Sequence, residues 1–89
     1  GRAQVWVKNL KTKGGLLTGI TIAGLDRDFS LNDFLEAIGR SVPGFRNKYN
    51  KQFITNDGIA VYRLEIADEE GRAFSRRKLE AIRKNIVKM

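Results

Sequence analysis

Residues 55–74, TNDGIAVYRLEIADEEGRAF, decide how the rest of the chain reads. Asn56-Asp57-Gly58 is turn chemistry, because Asp-Gly tolerates the positive φ that a two-residue hairpin turn demands. Residues 59–67 then alternate, with Ala60, Tyr62, Leu64 and Ile66 on one face and Arg63 and Glu65 on the other. That period belongs to a strand with one buried side. Asp68-Glu69-Glu70-Gly71 turns the chain again, and Ser75 offers an oxygen to cap a helix. Leu79, Ile82, Ile86 and Met89 make that helix's apolar stripe.

The segment before this hairpin, FRNKYNKQFIT (45–55), is strongly polar, but Tyr49 and Phe53 share strand parity with Lys51. It reads as an edge strand whose lysines discourage pairing with another chain. Further upstream, Leu31, Phe34, Leu35 and Ile38 fall at the spacing of a helix with one buried face. Ser30 is its N-cap, with Asp33 at the capping-box distance, and Gly39 and Pro43-Gly44 end it. At the start, AQVWVKNL (3–10) alternates Val5 and Val7 against Trp6 and Lys8. After the turn at 11–15, LLTGITIAGL (16–25) resumes strand character, so the two form a hairpin. Gly19 and Gly24 weaken that second strand or mark a close backbone approach.

The order is therefore ββαββα. Phe-Ser followed by Leu-Glu-Ala-Ile occurs at 29–38 and again at 74–82, one residue shorter the second time, which suggests two ββα halves. Burying both helix stripes calls for a two-layer α+β sandwich: a four-stranded, mostly antiparallel sheet with two helices on one face. The chain's 89 residues fit one such domain.

Composition narrows the chemistry. The chain has neither cysteine nor histidine, so disulfides, thiolate metal sites and the usual partner of a serine nucleophile are missing. Ser30 and Ser75 read as helix caps, and the carboxylates cluster in turns. Asp26-x-Asp28-x-Ser30 lacks the glycine and glutamate of a calcium loop, and no Lys-Ser/Thr follows Gly14-Gly15 to make a P-loop. The expectation is a protein that is not an enzyme, with no cofactor and no metal. No apolar run approaches the roughly 18–20 residues of a membrane span. The net charge of +7 suits acidic partners. Candidate nucleic-acid contacts are Arg76, Arg77, Lys78, Arg83 and Lys84 on the last helix, with Lys51 and Tyr49 on the third strand. The sequence motif of the common four-stranded RNA-binding domain is absent, and glutamates interrupt the basic field.

Thr55, Asp57, Gly58, Ala60, Asp68, Gly71, Leu79 and Ile82 together resemble the second half of an ACT domain, a small regulatory module. The pattern is most similar to those attached to nucleotidyltransferases and other nitrogen-metabolism enzymes. Leu25-Asp26-Arg27 stands where such domains carry Asp-Arg-Pro-Gly-Leu-Leu, and the resemblance extends over about 18–86. ACT domains run βαββαβ in a ferredoxin-like sheet; here a leading strand is added and the final one is missing. A leading strand hairpinned to the next would fill the vacated edge. The resemblance implies a cytoplasmic regulatory or assembly module that pairs with itself and senses a small metabolite such as an amino acid. Its site would be Asp26, Arg27, Asp28, Phe29, Ser30 and Leu31, where N–H groups at a helix start suit a carboxylate. Phe29 stands where ligand-binding members have glycine. The alternatives are a basic RNA- or DNA-binding domain and a structural domain packing within its parent protein. The chain opens Gly1-Arg2-Ala3 without a methionine and reads as a piece of a longer polypeptide.

Overall fold

The computed structural model of the chain describes residues 3–13, 15–25 and 29–89. Its elements are β1 (Gln4–Thr12), β2 (Gly15–Leu25), α1 (Leu31–Ser41), β3 (Arg46–Ile54), β4 (Ile59–Ala67) and α2 (Arg76–Val87). The four strands form one antiparallel sheet in the order β1-β2-β4-β3. This is the ferredoxin-like α+β architecture in the chain order ββαββα. In a βαββαβ chain the last strand lies at the sheet edge beside the first. Here β1 takes that edge beside β2, the position that the last strand of a βαββαβ chain fills.

Strand parity sorts the two faces. Ile20 and Ile22 of β2 and Tyr62, Leu64 and Ile66 of β4 point to one side and meet Phe34 and Ile38 of α1 and Ile82 and Ile86 of α2. Val5 and Val7 of β1, half-buried, complete that side at the edge. Phe34 lies between the ring of Phe29, 5.5 Å away, and that of Tyr62, 4.9 Å away in an edge-on arrangement. Among the described residues no helix lies on the opposite face of the sheet.

Each helix starts where its cap predicts. The Asp33 backbone N–H donates to Ser30 Oγ (3.3 Å), and the Ser30 N–H donates to Asp33 Oδ2 (2.9 Å), a complete capping box. At α2 the Lys78 N–H donates to Ser75 Oγ, but position N3 is a lysine and no reciprocal bond forms. The sequence echo at 29–38 and 74–82 therefore marks equivalent places, the entrances of α1 and α2. Exchanging β1 with β3 and β2 with β4 leaves the strand order unchanged, so the two ββα halves are topologically alike.

The β3–β4 turn departs from the two-residue form. The Thr55 N–H donates to Ile59 O and the Gly58 N–H to Thr55 O, enclosing Asn56, Asp57 and Gly58 in a three-residue loop. Only Gly58 has positive φ there (84°), the signature of a turn followed by a glycine bulge rather than of a two-residue I′ turn. Thr55 Oγ1 adds the reason: it accepts from the Ile59 N–H and bonds the Asp57 carboxylate, holding the wider loop closed.

A polar clamp fixes the approach to α2. Thr18, fully buried on the helix-facing side of β2, donates through Oγ1 to Asn9 Oδ1 (2.6 Å) and accepts from the Phe74 N–H (3.0 Å). Asn9 Nδ2 in turn donates to Phe74 O (2.9 Å). Two strands thereby satisfy both backbone groups of the residue that precedes the N-cap of α2.

Candidate functional site

The uncovered face of the sheet gathers aromatic and cationic side chains from three strands. The register places Trp6, Thr21, Arg63 and Lys51 in one row across the sheet. The neighbouring row is Lys8, Gly19, Glu65 and Tyr49, and the row on the other side ends in Phe53 beside Val61. Trp6, Tyr49 and Phe53 are 55%, 47% and 44% exposed, large values for rings on a sheet. Lys8, Lys51 and Arg63 are exposed among them, and Glu65 is the one carboxylate in these rows. Together these side chains border a shallow concavity of about 610 Å³. At Gly19 the floor is covered by Leu10, whose side chain lies across the glycine: a Cβ there would sit 2.5 Å from Leu10 Cδ2. The close approach at Gly19 is made by a side chain and not, as expected, by backbone.

This arrangement divides the nucleic-acid set read from sequence. Lys51 and Tyr49 lie on the open face, whereas Arg76, Arg77, Lys78, Arg83 and Lys84 are exposed on α2, in the helical layer. Arg83 is also engaged, donating from Nη2 to Glu80 Oε1 at 2.8 Å and from Nε to Oε2 at 3.4 Å. Glu80 takes this i,i+3 partner rather than Lys84 at i+4, and the Arg83 hydrogen bond holds its carboxyl below the usual range. Trp6, Lys8 and Arg63 were not in that set. Their parity and the two hairpins are readable, but the residues' own pattern does not report that β2 stands beside β4.

Of the metabolite site implied by the resemblance, Asp26, Arg27 and Asp28 lie outside the described residues. Phe29 is half-buried, its carbonyl accepting from the Tyr62 hydroxyl at 3.2 Å. The Ser30 N–H is taken by Asp33, and half-buried Leu31 packs against the core.

The acidic turn is explained by local bonding. Asp68 Oδ1 accepts from the N–H groups of Arg72 (2.8 Å) and Glu70 (2.9 Å), while the Gly71 N–H closes on Asp68 O (2.9 Å). The Arg72 N–H is the main reason the Asp68 carboxyl is held below the ordinary aspartate value; desolvation opposes it and the Glu70 N–H adds to it. A depressed folded-state value means the stabilisation is complete above the unfolded value of about 3.9 and is lost as pH falls through the folded one. Asp68→Asn should therefore melt below the wild type at neutral pH, with the gap closing in acid. Thermal melts of both proteins from pH 7 down to about 2.5 check this, and a gap that does not change with pH would count against the carboxylate's role.

Among the described residues no group of three or more histidine, cysteine, aspartate or glutamate side chains is placed to hold a metal ion. None of the described helices is long and apolar enough to cross a membrane. Comparison of the chain with protein-family models, with characterised proteins and with solved structures finds no match. The functional reading therefore rests on the geometry of the residues themselves.

Proposed function

We propose that this chain is a non-catalytic regulatory or assembly module of a larger protein, which pairs with a copy of itself along the β3 edge. The supporting observation is β3 itself: among the described residues it is hydrogen-bonded on one side only, to β4, and all nine of its residues are exposed. A two-fold antiparallel pairing centred on Asn50 sets Tyr49 opposite Lys51, and the bulge between Asn47 and Tyr49 takes Arg46 and Lys48 out of that register. No cation then faces a cation, so the lysines that discourage most pairings leave this register open. The ACT-like pattern of residues 55–82 supports regulation as the purpose, with a small amino-acid-like metabolite as the signal.

Light scattering should show a mass that doubles with rising concentration. Asn50→Lys, which sets two lysines against each other at the two-fold axis, should hold the protein monomeric. A wild-type mass that stays monomeric at about millimolar concentration would refute pairing.

A second reading concerns the open face, which such edge pairing leaves free. Lys8, Lys51 and Arg63 outnumber Glu65 there, and the exposed rings between them favour a docking surface for an acidic partner.

A further inference from the structure

The geometry points to single-stranded nucleic acid as the ligand of the open sheet face, with bases stacked on Trp6, Tyr49 and Phe53 and phosphates held by Lys8, Lys51 and Arg63. The inference rests on the second reading, that this face is a docking surface, and supplies its ligand class.

Three properties select this ligand. The rings are exposed and carried on strands, so they offer flat π surfaces at fixed positions, and base stacking needs nothing more specific. Every ring has a cation beside it: Lys8 adjoins Trp6 along β1, Lys51 stands between Tyr49 and Phe53 along β3, and Arg63 lies between Trp6 and Lys51 across the sheet. A strand of alternating bases and phosphates matches that interleaving. A protein partner fits it less well, since lysines are depleted from the cores of protein interfaces. A duplex presents its phosphates but hides its base faces, which would leave the aromatic rings unused.

Spacing sets the strand's conformation. Strands about 4.8 Å apart rising about 3.3 Å per residue put the three aromatic Cα atoms roughly 13–16 Å from one another. Bases stacked in a helix are about 3.4 Å apart, so no two rings hold neighbours of one stack. The strand lies splayed, with at least one nucleotide between those that stack. Glu65, between Arg63 and Tyr49 on this face, can accept a hydrogen bond from an exocyclic amine, which disfavours uracil and thymine there.

Trp6 is the only tryptophan, so its fluorescence reports on the surface directly. Titration of the full chain with single-stranded oligonucleotides of about eight residues, as RNA and as DNA, should quench Trp6 with a Kd of about 1–100 µM at low salt. The three cations, at about 0.7 each for a single strand, predict a slope of about −2 for log K against log salt. Fluorescence anisotropy of labelled oligonucleotides should show Trp6→Ala, Tyr49→Ala and Phe53→Ala each weakening binding about 5- to 100-fold. The triple change Arg76→Ala, Arg77→Ala, Lys78→Ala should alter it less than about 2-fold, because those residues lie on the helical layer. Equal binding of RNA and DNA, or a preference for either, supports the inference. Absence of quenching and of anisotropy change overturns it, as does duplex binding as tight as single-strand binding. So does loss of binding in the α2 triple variant with the aromatic variants unaffected. Asn50→Lys separates the two proposals: it should abolish pairing and leave oligonucleotide binding intact.

Discussion

Phe34→Ala should cost about 3–5 kcal/mol of stability, the range for truncating a buried phenylalanine. Phe34 is 1% exposed and touches the rings of Phe29 and Tyr62, which belong to the approach to α1 and to central strand β4. Removing the ring deletes its apolar burial and leaves a cavity that neither neighbour can fill from its own rotamer well. Native domains are stable by only about 5–15 kcal/mol, so the variant should sit near its unfolding threshold. For a domain of this size the melting temperature should fall by at least about 12 °C. Urea denaturation followed by circular dichroism measures it, and a loss under about 1 kcal/mol would show that the aromatic cluster is not central. Phe53→Ala is the internal comparison: its half-exposed ring should change stability by no more than about 0.5 kcal/mol.

Thr18→Val is the second large effect expected, although the substitution keeps the side chain's shape. Valine fills the same space but withdraws the hydroxyl, which deprives both the Phe74 N–H and Asn9 Oδ1 of a partner. Burying donors and acceptors without partners costs about 1–3 kcal/mol. Thr18→Ser should recover most of this, because it restores the hydroxyl. Amide hydrogen exchange gives the loss a location. Protection at the Phe74 N–H should drop in Thr18→Val more than protection in β4, since the bond that fails secures the entrance to α2. A valine variant as stable as the wild type would mean that Asn9 alone satisfies Phe74.

These two sites differ in how much of them the sequence discloses. Phe34 belongs to a stripe with Leu31, Leu35 and Ile38, and a helical period announces its burial whatever covers it. Thr18 looks like a polar interruption before Ile20 and Ile22. Its partners stand 9 and 56 residues away, and no local period reports them. The strands, both helices and their caps are legible because each is specified within a few residues. The open face is only half legible. The parity of Tyr49, Lys51 and Phe53 puts them together, but Trp6 and Arg63 join them only once β4 is known to lie between β2 and β3. Cations on α2 and on β3 look alike in a sequence, and the two-layer architecture assigns them to opposite sides. Asp-Gly is the dominant signal at 55–59 and points to a two-residue turn, whereas the Thr55 hydroxyl that widens the loop makes a bond that Asp-Gly does not report.

The position of β1 has a consequence for comparing this chain with others of the same architecture. Its six elements occupy the places of βαββαβ, but one strand has moved from the last position in the chain to the first. A collinear alignment with a βαββαβ chain can therefore match at most five of the six. Anchored on β2, it leaves β1 overhanging at one end and the partner's closing strand overhanging at the other, although the two strands fill the same site. Only superposition without regard to the order of elements in the sequence, or alignment to a doubled copy of the partner, brings all six into register.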